Sequence, residues 1–153
     1  MRKVLVGIVL AVMAPCLCLA GMYSDYDDSK LEKFKGIIAS YEKAPLDGKL
    51  QFLKDARSLN DEIRKNCMKA IGRVYAHQCY TAFDYTCNTL GKTYIDYAKK
   101  LIEAGRTEEA KTFLQEFKTN FTADVYKSYL KEAELMLDRL AKQSAETNKP
   151  EKK

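Results

Sequence analysis

The chain has 153 residues, a net charge of +5 and 46% hydrophobic residues, enough for one domain with an ordinary core. Acidic and basic residues are interspersed with no basic stripe, so the charge is too weak to argue for a nucleic-acid partner. His77 is the only histidine, which leaves no second imidazole for a zinc site.

Met1-Arg2-Lys3 is a short basic start, Val4 to Ala20 carry no charge, and Cys18-Leu19-Ala20 places small residues at the two positions a signal peptidase reads. This is the pattern of a secretory signal peptide, and it predicts removal of residues 1–20 with a mature start at Gly21. An uncleaved membrane anchor is the alternative. It is disfavoured because the apolar run is about 17 residues, the lower limit for a span, and Pro15 interrupts it. Lipidation at Cys16 or Cys18 is disfavoured because Pro15 and Leu17, not small residues, precede them. Cleavage takes away Arg2 and Lys3 and so lowers the net charge from +5 to +3. It predicts a periplasmic or secreted protein with no stable membrane span.

Export makes disulfide the default reading of the remaining cysteines, Cys67, Cys79 and Cys87. The favoured pairing is Cys79–Cys87, across a tight helical turn. Cys67–Cys79 suits a longer helical hairpin. If residues 60–83 formed one straight helix, those two would stand about 18 Å apart and could not join. The odd cysteine is left as a buried thiol or an intermolecular bridge.

Helical periodicity runs through nearly all of the remaining chain, and no alternating strand or Asn-Gly turn interrupts it. Residues 21–28 read as a flexible acidic leader, with Asp28 as a helix N-cap. A first helix carries Leu31, Phe34, Ile37, Ile38 and Tyr41 on one face, and Pro45-Leu46-Asp47-Gly48 breaks it. A second carries Leu50, Leu53 and Ala56. Asn60 or Asp61 is expected to cap a third, with Ile63, Cys67, Ala70, Ile71, Val74 and Tyr75 inward. This helix either bends near Gly72 or runs on to Phe83. A fourth covers about 89–104 and stops at the C-cap glycine Gly105. Thr107 is expected to cap a fifth, which buries Ala110, Phe113, Leu114 and Phe117. After a break at 120–123, a last helix carries Tyr126, Tyr129, Leu130, Ala133, Leu137 and Leu140. The domain is expected to end near residue 141, and Lys142 to Lys153 read as a disordered charged tail. The fold expected is all-α: antiparallel helical hairpins in a small bundle.

The chemistry of enzymes is thinly represented. His77 and Cys79, two apart, do not share a helix face. No Cys-x-x-Cys, Gly-x-Ser-x-Gly, phosphate loop or His-Glu-x-x-His is present. A carboxylate pair hidden among the surface acids remains the least favoured reading. No catalytic residue, cofactor or metal is therefore expected. Tyr75, Tyr85 and Tyr126 are the tyrosines to consider for a groove, with core packing the competing role.

One stretch is more organised. Tyr94, Tyr97-Ala98, Leu101, Gly105, Ala110, Leu114 and Phe117 follow a fixed spacing in which small residues let two antiparallel helices approach and a glycine permits the turn. This resembles the tetratricopeptide repeat. Partial echoes flank it: Ala76, Tyr80 and Phe83 stand 34 residues before Ala110, Leu114 and Phe117, and Tyr126, Tyr129-Leu130 and Ala133 follow. The chain departs from the family with Tyr94 at the tryptophan position, Ala98 at a glycine position and no closing proline. The resemblance implies tetratricopeptide-like packing of the C-terminal half and a non-enzymatic module that binds a cell-envelope protein or peptide. In that family the binding surface is concave and made by the first helix of each repeat. On this chain it would include Asn60, Arg64, Asn88, Lys92, Asp96 and Lys99. The alternative function is a small disulfide-stabilised inhibitor or immunity protein that blocks an exported enzyme such as a cell-wall hydrolase.

Overall fold

The computed structural model describes residues 28–69 and 76–147. Among these residues there are five α-helices and no strand. They are α1 (Ser29–Lys43), α2 (Leu46–Lys69), α3 (Ala76–Glu103), α4 (Thr107–Asn120) and α5 (Lys127–Thr147), with a 3-10 turn at Asp124–Tyr126. The protein is an all-α helical bundle.

Successive helices pack antiparallel. The α1–α2 pair is tied at one end by Lys30 on Glu62 (2.6 Å) and at the other by the Lys49 ammonium on the Tyr41 carbonyl. The α2–α3 pair is tied by Asn60 on Thr86 and by a bridge between Cys67 and Cys79. Ring contacts between Tyr97 and Phe113 and between Tyr94 and Phe117 join α3 to α4. Lys118 and Glu134 join α4 to α5 at 2.8 Å. Alternate helices run parallel: Tyr41 of α1 reaches Asp96 of α3, and Lys99 of α3 reaches Glu132 of α5. The helices therefore form two rows, α1–α3–α5 and α2–α4. The first row is closed by direct packing, whereas α2 and α4 do not approach one another.

The reason α3 and α5 pack so closely is Gly91. A Cβ there would lie 2.4 Å from the Tyr129 ring. At the α3–α4 turn, Gly105 has φ +76°, which an L side chain rarely adopts. The amide of Arg106 donates to the Leu101 carbonyl at 2.8 Å, and that of Gly105 to Ile102 at 2.9 Å. This pair of bonds is the Schellman closure of α3, and it bears out the glycine cap. Ala98 and Ala110 are fully buried on the facing helices. Phe34, Leu53, Leu90, Leu101, Leu114 and Phe117 fill the centre of the core, each contributing about 1.5–3 kcal/mol of burial.

Several expectations change. No helix starts at Asn60: α2 runs unbroken from Leu46 to Lys69. Residues 49–69 contain no glycine or proline to stop it, and the Asn60 side chain is drawn into the core instead of capping the backbone. The expected fourth helix is the second half of α3, a single 28-residue element that also contains Ala76, Tyr80 and Phe83. Cys79 and Cys87 thus share one helix, about 12 Å apart along its axis, and cannot bond. The disulfide is Cys67–Cys79, with Cα atoms 5.2 Å apart across the α2–α3 hairpin, and Cys87 is a buried free thiol. Asp28 sits at the N-cap of α1 without a side-chain cap bond, and Thr107 is already inside α4, where Arg106 holds the N-cap position. α5 continues to Thr147, past the expected domain end. The signal, the leader up to residue 27, the inward positions Ala70, Ile71, Val74 and Tyr75, the bend at Gly72 and the last six tail residues lie outside the described residues.

Candidate functional site

Because α2 and α4 both lie on α3 without meeting, a cleft runs between them. Its central part, about 420 Å³, has Leu50, Lys54, Arg57 and Asp61 on the α2 side and Phe113, Glu116, Phe117 and Asn120 on the α4 side. It continues one way past Tyr97, Leu101, Glu108 and Glu109, and the other way past Arg64, Thr122 and Tyr126. On α2 the lining residues 50, 54, 57, 61 and 64 recur at helical spacing, so one face of one helix makes the whole wall.

The floor is a buried aromatic cluster that shows the cleft only its ring edges. Tyr94 stacks on Phe113 (5.1 Å between centroids) and Phe117 (5.2 Å) and meets Phe121 edge-on at 4.8 Å. Phe121 in turn meets Tyr126 at 4.8 Å. The Arg57 guanidinium lies 4.9 Å over the Phe121 ring, a cation–π contact that covers the floor from above. Burial pushes the Tyr94 hydroxyl above its ordinary pKa, and the neighbouring Arg57 partly opposes that shift. Among the described residues, Lys54 and Glu116, which face each other across the cleft, have no ion-pair partner. Glu108 and Glu109 are already held by Lys111 and Arg106 at 2.7 Å each.

Below one end of the cleft is a buried polar knot. The Asn60 amide donates to the Thr86 hydroxyl at 2.8 Å, and its oxygen accepts from the Tyr126 hydroxyl at 3.3 Å. The Cys87 thiol lies against the same side chain, 3.4 Å from the Asn60 amide nitrogen, and burial raises its pKa. A thiol kept protonated and 0% exposed is a poor nucleophile.

The six residues implied by the family resemblance do not share one surface. Asn60 is 4% exposed and committed to the knot. Arg64 is on the cleft rim, 3.9 Å from Asp61. Asn88, Lys92, Asp96 and Lys99 lie on the side of α3 turned away from the cleft, where they form a polar strip between α1 and α5. Asp96 is not idle there. It accepts the Tyr41 hydroxyl at 3.0 Å and pairs with Lys100. Burial alone would raise its carboxyl, but the hydrogen bonds from Lys100 and Tyr41 outweigh it and hold the group below the usual carboxylate range. Lys99 is paired with Glu132 at 2.8 Å. Of the tyrosines considered for a groove, Tyr126 is buried under the cleft, Tyr85 is exposed on the far side, and Tyr75 is outside the described residues.

Sequence reasoning missed Lys54, Arg57, Glu116 and Phe121 as a set. Their signal was the charged face of α2 at residues 54, 57, 61 and 64, which is hidden when a break is placed at residue 60. Among the described residues no group of His, Cys, Asp or Glu could hold a metal ion, and no helix is long and apolar enough to cross a membrane. No protein-family model, curated protein or solved structure matches this chain.

Proposed function

We propose that this chain is an exported, non-enzymatic protein-interaction module, built from tetratricopeptide-like stacked hairpins, that receives a segment of a cell-envelope protein between α2 and α4. The observation that carries the reading is the cleft itself. It joins the edges of a buried aromatic cluster to charges of opposite sign on its two walls that have no ion-pair partner among the described residues, a combination that suits protein recognition. The signal-like first twenty residues and the Cys67–Cys79 bridge support the compartment, since disulfides persist in oxidising environments. The paired alanines and the closing glycine of the α3–α4 hairpin support the repeat-like packing. The two-row arrangement of parallel alternate helices supports it too.

The test is purification of the tagged chain after crosslinking in intact cells, as wild type and as Arg57→Glu. The reading predicts one or more envelope proteins with the wild type and their loss with the variant, while helical circular dichroism is unchanged. A single exported hydrolase, bound one-to-one and inhibited, would instead establish the inhibitor function. Turnover of a cell-wall glycan by the purified chain would contradict a non-enzymatic role.

A further inference from the structure

The cleft also constrains the shape of what enters it. Both walls are helices whose backbone groups are bonded internally, and no strand is present among the described residues. An extended peptide laid there would find no edge to pair with, leaving its own amides and carbonyls without protein partners. A helix satisfies its own backbone and needs only side-chain contacts. The wall from Leu50 to Arg64 rises about 21 Å, or four helical turns. Two parallel helices seated on a third form the kind of trough into which another helix packs.

The walls also differ in charge. Lys54, Arg57 and Arg64 stand on the α2 side, with Asp61 drawn to Arg64. On the α4 side Glu108 is paired with Lys111 and Glu109 shares Arg106 with Asp47, so among the described residues Glu116 is the acid there without an ion-pair partner, opposite Lys54. Arg57 lies over Phe121, within reach of a carboxylate entering from above the floor.

Resting on the reading that this cleft is the partner site, we propose that its occupant is an amphipathic α-helix of a partner protein, about four turns long. Its apolar stripe lies on the aromatic floor, its acidic flank faces α2 and its basic flank faces α4.

Three synthetic helical peptides of about 18 residues test this by fluorescence anisotropy against the purified chain. All share one leucine stripe. One has an acidic and a basic flank, one has two acidic flanks and one has two basic flanks. The mixed peptide is expected to bind about tenfold more tightly than either other. Glu116→Lys, with helical circular dichroism unchanged, is expected to make the doubly acidic peptide the tightest. Equal affinity of the mixed and single-sign peptides would overturn the proposal, as would an unchanged order with Glu116→Lys. Equally tight binding by a mixed peptide carrying a central proline would overturn it as well. If the peptides fail while Arg57→Glu still releases the cellular partner, the helical occupant is wrong and the cleft reading stands. If partner recovery ignores Arg57→Glu, the cleft reading itself falls.

Discussion

Asn60 and Asp96 show how the surroundings of a polar side chain decide its role. Asparagine is a common cap, and with aspartate after it the pair reads as a helix start. Here residue 60 falls on the inner face of α2, opposite Thr86 and above Tyr126, and a buried amide with three polar neighbours is worth more inside than at a cap. Nothing local to residue 60 reports neighbours that are 26 and 66 positions away. The family resemblance implies that Asp96 is a groove residue. It is instead the anchor of α1, through the Tyr41 hydroxyl. Its carboxyl is held below the ordinary value, so its contribution to stability is complete above about pH 4 and is lost as pH falls through the lowered folded value. The side chain is partly solvated, so the effect is small. Asp96→Asn is expected to lower the urea midpoint at pH 7 and to cost visibly less at an acid pH below the lowered folded value, where the wild-type carboxylate takes up its own proton. An equal loss at both pH values would show that charge at Asp96 does not hold α1.

At the scale of elements, the α2–α3 hairpin and the α3–α5 crossing carry separate vulnerabilities. Among the described residues outside the main core, the end of the hairpin is held by a cluster of Ile63, Cys67, Cys79 and Phe83. The disulfide closes a 12-residue separation and is expected to contribute about 3 kcal/mol. Cys67→Ser with Cys79→Ser should therefore speed amide exchange over residues 63–69 and 76–83 and leave the α3–α4 core protected. Uniform loss of protection would show instead that this end and the core unfold as one unit. The Gly91 crossing predicts a different failure. Gly91→Ala places a methyl against the root of the Tyr129 ring, so α5 must move, at an expected cost of about 1–3 kcal/mol measured by denaturant unfolding. A neutral change would mean that α5 sits loosely on α3. The helices themselves were legible in the sequence: the inward faces of α1, α4 and α5, the break at Pro45 and the stop at Gly105 follow from period and punctuation. The pairing of helices was less so. Misplacing two boundaries, at residue 60 and between residues 83 and 89, split two long helices, moved the disulfide and dissolved the charged face of α2.

At the scale of the whole molecule, two rows of helices make two unlike surfaces. The α1–α3–α5 side is polar around Asp96 and Lys99, which are spent on interhelical pairs. The open α2–α4 side keeps an aromatic floor and charges with no ion-pair partner among the described residues. The sequence motif around residues 94–117 located the hairpin that builds that floor, through Tyr94, Phe113 and Phe117. It pointed to the opposite face because the resemblance names the helix that carries Tyr94 and Tyr97, whereas here the gap lies between α2 and α4. The most direct test is site-specific photocrosslinking in intact cells, with the crosslinker at Ser58 on the cleft rim or at Lys92 on the far side of α3. The account predicts a partner adduct from Ser58 and none from Lys92. An adduct from Lys92 alone would place recognition on the closed face and contradict it.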